Sequence, residues 1–250
     1  MKNGFTLAEV LITIGILGVV SALTLNTLIK NYQEKQAVTQ LKKTYSLLGQ
    51  GLKLAETEHG DISQWSDSEN LVNVADDWVN ILKNHMKIIK YCGLGDDSPK
   101  DCFANGYKWL NPNNKVINDI NDNGLVKSVG FVLNNGASVR ISAHRKDCKY
   151  PIEAGYIDLC GNLYVDINGK KGPNTFGKDT FSFTLKSDKI VPFGTPTATE
   201  NVDEKFNNYC NVNSTLSSNG EHCTAWVIYN ENMDYLHCND LSWNGKTKCK

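Results

Sequence analysis

Apolar residues follow two different patterns in the first sixty positions. From Phe5 to Leu25 nearly every residue is apolar or small, in the run Phe5-Thr6-Leu7-Ala8-Glu9-Val10-Leu11-Ile12-Thr13-Ile14-Gly15-Ile16-Leu17-Gly18-Val19-Val20-Ser21-Ala22-Leu23. About twenty such residues in a helix cross the hydrocarbon of a bilayer. From Asn26 to Glu58 there is no proline, and Leu28, Val38, Leu41, Tyr45, Leu48, Leu52 and Ala55 recur at helical spacings. That stripe predicts an amphipathic continuation of the same helix. Gly49 and Gly51 weaken its last part and Gly60 is the predicted stop. A helix from Phe5 to Glu58 is about 80 Å long.

The pattern then shortens. Residues 61–70 are polar and read as loop. Val72 to Tyr91 reads as an amphipathic helix, with Val74, Trp78, Ile81, Leu82, His85, Ile88 and Ile89 on one broad face. On that face His85 reads as a satisfied core or boundary histidine rather than a ligand. Cys92 to Asn123 is turn-rich. Val129–Leu133 and Ala137–Ile141 flank Asn134-Asn135-Gly136, a hairpin signal. Further strands are predicted near Tyr156–Asp166 and at Thr180–Leu185, where Phe181, Phe183 and Leu185 alternate. One long helix followed by antiparallel strands is an α+β architecture. The domain reading is a leader at 1–4, a membrane and assembly helix at 5–58, an α+β head at 59–193 and a cysteine-rich C-terminal extension at 194–250.

Charge and cysteine content narrow the classes. A net charge of -1 over 250 residues gives no basic stripe, so no nucleic-acid partner is evident. The eight cysteines are Cys92, Cys102, Cys148, Cys160, Cys210, Cys223, Cys238 and Cys249, and no pair has C-x-x-C spacing. They read as a disulfide framework outside the cytosol, with reduced, partly buried thiols as the alternative. Eight cysteines allow about 105 pairings. Neighbours such as Cys92 with Cys102 and Cys148 with Cys160 are the simplest choice.

Glu9 is out of place in a plain membrane anchor. A carboxylate in hydrocarbon costs about 2.5 kcal/mol or more unless paired. The apolar run contains no cation, but a cut after Gly4 would make the α-amine of Phe5 one. Phe5 and Glu9 are four residues apart, so an intrahelical pair fits, as does a pair between neighbouring subunits. Gly4, Phe5, Thr6, Leu7 and Glu9, with the following Leu-Ile-x-Ile-Gly-Ile-Leu-Gly, resemble the N-terminal cleavage and methylation motif of type IV prepilins and type II secretion pseudopilins. The resemblance implies processing between Gly4 and Phe5 by a prepilin peptidase, methylation of Phe5, and assembly through Phe5 and Glu9. It implies other pilin or pseudopilin subunits and an inner-membrane assembly platform as partners. It also implies a single-pass inner-membrane protein whose head lies outside the cytoplasm, in a surface or periplasmic filament. The charges point the other way: Lys2 precedes the apolar run, and Lys30, Lys35, Lys42 and Lys43 follow it.

Residues 165–179 form a second motif, D-x-N-G-x-x-G-P-N-x-x-G-x-D from Asp166, which looks like a loop of pilin-like heads. Asp166, Asn168, Asn174 and Asp179 offer hard oxygens on a glycine-rich backbone. Calcium is the candidate cofactor, and an Asx-stabilised turn without metal is the alternative. No nucleophile elbow, HExxH, P-loop or dinucleotide fingerprint is present, so the chain does not read as an enzyme. His222 beside Cys223 and His237 beside Cys238 are more simply explained by paired cysteines. A filament subunit, with a large head that favours a minor, tip-located one, is the leading reading. The alternative is a membrane-anchored, disulfide-stapled extracytoplasmic binding domain or enzyme outside any filament.

Overall fold

The computed structural model describes residues 4, 6–94, 102–104, 106–111, 116–117, 128–149, 158–197 and 201–249. The chain divides into two compact units, Met1–Gln36 and Ala37–Lys250. Helix α1 (Leu7–His59) contributes to both. Within the first unit its apolar side chains are open: Leu7, Leu11, Ile12, Ile14, Ile16, Leu17 and Val19 are 59–78 % exposed. Leu28, expected on the packed stripe, is 69 % exposed and belongs to this first unit.

In the second unit the stripe packs as its spacing requires. Leu41, Leu48, Leu52 and Ala55 of α1 are buried. Tyr45 stacks on Phe183, with ring centroids 5.5 Å apart, and its hydroxyl donates to the Ile190 carbonyl at 3.1 Å. Met86 packs over Gly51: a Cβ there would lie 2.4 Å from Met86 Cε, the movable end of that side chain. Gly60, at φ +76°, ends α1 with its N–H on the Glu56 carbonyl at 2.9 Å, the left-handed cap that favours glycine.

Helix α2 (Leu71–Leu82) starts where the Asn70 side chain accepts from Val72 N. It is shorter than its sequence pattern suggests. Ile88 and Ile89 fit an extended helical face, yet they open strand β1 (Ile88–Leu94), which pairs antiparallel with the strand Ser128–Leu133. His85 and Met86 lie in the turn between, so His85 is not on the helix.

The remaining strands are β2 (Tyr107–Lys108), β3 (Val116–Ile117), β4 (Ser128–Leu133), β5 (Ser138–Ala143), β6 (Leu159–Asp166), β7 (Thr180–Lys186) and β8 (Ile190–Pro192). Six form one antiparallel sheet in the order β1-β4-β5-β6-β7-β8, and β2 pairs with β3. The hairpin turns at Asn134-Asn135-Gly136 as expected, with Gly136 at φ +88°. Strand β6 covers the later part of the expected segment; Tyr156 lies outside the described residues. Side chains alternate across the sheet. Phe131, Val139, Ile141, Leu163, Val165, Phe181 and Phe183 join Leu41 and Trp78 in the main core. On the other face Val132 and Tyr164 meet a smaller cluster of Cys102, Phe103, Tyr107, Trp109 and Phe176. Backbone crowding fixes Gly161, whose Cβ would fall 2.0 Å from the Ser142 carbonyl oxygen.

All eight cysteines are paired with sequence neighbours: Cys92–Cys102, Cys148–Cys160, Cys210–Cys223 and Cys238–Cys249. The C-terminal segment adds helices α3 (Val202–Tyr209) and α4 (Cys223–Asn230). Phe206, Trp226, Tyr235 and Leu241 enter the main core. Thr224 Oγ1 accepts from Ser182 N at 2.9 Å, and the Tyr235 hydroxyl donates to the Gly177 carbonyl at 2.6 Å. A long N-terminal helix with a six-stranded antiparallel sheet is the α+β, pilin-like fold.

Candidate functional site at the N-terminal helix

Gly4 is exposed, and Phe5 lies outside the described residues. Thr6 precedes α1, and Glu9 is the third residue of the helix. The Thr6 backbone N–H and hydroxyl both donate to Glu9 Oε2 at 2.8 Å, and Glu9 N donates back to Thr6 Oγ1 at 3.3 Å. This reciprocal arrangement is a capping box, which satisfies otherwise orphaned donors at the helix start. Glu9 therefore has neutral partners one turn away. The Thr6-x-x-Glu9 spacing carries that signature in the sequence. Thr13 adds a helical back-bond, its hydroxyl donating to the Glu9 carbonyl at 2.9 Å.

The segment that follows has the length and composition to cross a membrane, and among the described residues its most apolar stretch has none buried within the protein. Apolar surface of that extent needs lipid or other helices around it. Gly15 and Gly18 have open space where a Cβ would be, so no contact within the chain demands glycine there.

The loop from Asp166 to Asp179 brings its four candidate residues together. Asp179 accepts from Thr175 N at 2.7 Å, Asn174 N at 2.8 Å and the Asn168 amide at 3.3 Å. Asp166 accepts from the Tyr107 hydroxyl at 2.7 Å and from Asn168 N at 3.2 Å. The loop is anchored by Phe176, which packs on Trp109 with centroids 4.3 Å apart. Both carboxylates are buried. Burial pushes Asp166 up to about 8, with the hydrogen bond from Tyr107 opposing and the charge of Asp179 reinforcing the rise. Burial likewise raises Asp179, against the bonds from Thr175 and Asn174. Asn168 Oδ1 and Asn174 Oδ1 are buried without a hydrogen-bond partner among the described residues. Tyr107 was not among the sequence candidates, since nothing local links it to a residue 59 positions away.

His59 and His85, scattered in the sequence, meet with their rings 5.6 Å apart and edge-on. His222 stacks on Tyr209, and Cys223 and Cys238 are held in disulfides.

No curated protein and no solved structure matches the chain. Residues 1–25 match the prokaryotic N-terminal methylation motif, which with the apolar helix behind it makes this a type IV pilin-like protein with the N-terminus of a prepilin peptidase substrate. Residues 27–233 match the model described as a family of unknown function, DUF6613, and the chain belongs to that family.

Proposed function

We propose that the protein is a minor subunit of a type IV pilus-like or type II secretion filament. Cleavage after Gly4 frees the α-amine of Phe5, which is then methylated. Two hydrogen bonds from Thr6 converge on one oxygen of Glu9, Oε2. The other oxygen is the natural acceptor for the Phe5 amine of a neighbouring subunit. That pairing neutralises two charges that are costly in lipid and fixes the stagger between subunits. The inner-membrane platform and other pilin or pseudopilin subunits are the partners, and the disulfide-bearing head lies outside the cytoplasm. The exposed apolar run of α1, broken near its start by one capped carboxylate, carries this reading. The size of the head and its four disulfides favour a minor subunit over a bulk one. Its role is structural rather than enzymatic.

The test is Glu9→Gln. Glutamine still serves in a capping box but carries no charge. The variant inserts in the membrane and folds its head as the wild type does, yet drops out of sedimentable filaments. Wild-type levels of assembly by this variant would refute the pairing.

A specific observation favours a second element. The unpartnered Asn168 Oδ1 and Asn174 Oδ1, beside the buried carboxylates Asp166 and Asp179, make an oxygen-rich loop suited to calcium. Calcium would then raise the melting temperature of the chelator-treated chain, and Asp179→Asn would abolish the rise. Equal melting curves with calcium and with chelator would leave the loop as an Asx-bonded turn.

A further inference from the structure

We propose that Glu58, His59 and His85 form a binding site for a divalent transition-metal ion, zinc being the fitting one. Glu58 and His59 are the last two residues of α1, and His85 lies in the turn between α2 and β1. One ligand atom from each residue can be chosen so that all three lie within 4.8 Å of one another. His85 Nε2 is 3.5 Å from Glu58 Oε2, and His59 Nε2 is 3.8 Å from Glu58 Oε1. In a tetrahedral zinc site, with bonds of about 2.0–2.2 Å, neighbouring donor atoms stand about 3.4 Å apart. Each histidine nitrogen thus already stands near that spacing from one of the two Glu58 carboxylate oxygens.

His85 supplies the second, independent observation. Its side chain is only 10 % exposed, and Nε2 is buried with no hydrogen-bond partner among the described residues. An unsatisfied buried polar atom costs about 1–3 kcal/mol, so such atoms call for an explanation. A metal ion supplies one, since a neutral imidazole nitrogen is a lone-pair donor. The ring is held in place by the backbone, with His85 N on the Leu82 carbonyl at 2.9 Å. Across from it, Glu58 and His59 sit on the capped end of α1 and are 66 % and 35 % exposed, so the ion has a path in from solvent.

The donor set selects the metal class. Two imidazoles and one carboxylate suit zinc and its neighbours, whereas calcium and magnesium prefer an all-oxygen shell. Three protein ligands leave a fourth position for water or a group from another molecule. The bound ion ties the last turn of α1 to the turn that leads into β1, where the rings of His59 and His85 already meet edge-on.

The experiment uses the untagged full chain in detergent, stripped with chelator and dialysed, and titrated with zinc chloride by calorimetry. The expected result is one zinc per chain, not displaced by calcium. His59→Gln and Glu58→Gln change exposed side chains; each should weaken binding about tenfold or more while leaving the metal-free melting temperature unchanged. Cobalt in place of zinc should show the visible absorption of a four- or five-coordinate ion in the wild type and lose it in His59→Gln. Absence of saturable zinc binding, or equal affinity in the wild type and His59→Gln, overturns the proposal.

Discussion

The first 36 residues and the remainder of the chain treat the same residue types in opposite ways. In the first unit leucines and isoleucines are exposed and the acidic Glu9 is held by a local cap. In the second unit leucines, phenylalanines and tryptophans are buried, and so are Asp166, Asp179 and Arg140. Elementary physics does not permit both patterns in water. Exposed apolar helix surface needs a second solvent, lipid or like helices, whereas buried polar groups need a specific protein scaffold to satisfy them. The contrast teaches that stability of the head and competence of the N-terminal helix are separable properties carried by different residues.

Substitutions can break that separation or sharpen it. The largest effect should come from Trp78→Ala, which removes a fully buried ring from the head. The expected loss is about 3–5 kcal/mol, read as a lower melting temperature of the head with membrane insertion unaffected. Leu17→Arg should do the reverse. It places a charge in the apolar run at a cost of about 3 kcal/mol, read as weaker membrane insertion, with the melting temperature of the head unchanged.

A pH dependence follows from Asp166. Its folded-state carboxyl stands near 8, far above the ordinary value of 3.8, so the folded state holds its proton more tightly than the unfolded one. The stability this lends is complete below the ordinary value and is lost as pH rises towards 8. In chelator, Asp166→Asn should therefore gain stability relative to the wild type as pH is raised from 4 to 8, measured by denaturant unfolding at each pH. A flat difference would place the carboxylate in a more polar setting than its burial implies. The smallest effect should be Thr6→Val, which deletes the capping box at a cost of about 1 kcal/mol, confined to fraying of the first turn of α1 and visible as faster amide exchange there.

Local signals were legible in the sequence and long-range ones were not. The stop at Gly60, the turn at Asn134-Asn135-Gly136 and the alternation of Phe181 and Phe183 each depend on a few adjacent residues, and each falls where expected. The end of α2 does not. Ile88 and Ile89 continue the helical periodicity of Ile81 and Leu82, and only the pairing of β1 with β4, about forty residues on, places them in a strand. The site residues divide the same way. Glu9 stands out because a carboxylate in an apolar run is locally anomalous, and Thr6 is readable from its spacing to Glu9. Tyr107 on Asp166 and His85 beside Glu58 have no spacing that announces them, because tertiary packing alone brings them together.

The N-terminal motif is that of a prepilin peptidase substrate. The direct measurement is the mature N-terminus, read by mass spectrometry from chain expressed with and without a prepilin peptidase. The expected result is an N-terminus at methylated Phe5 when the peptidase is present and an uncut chain when it is absent. An uncut Met1 in the presence of the peptidase, or a cut beyond Val20, would contradict it.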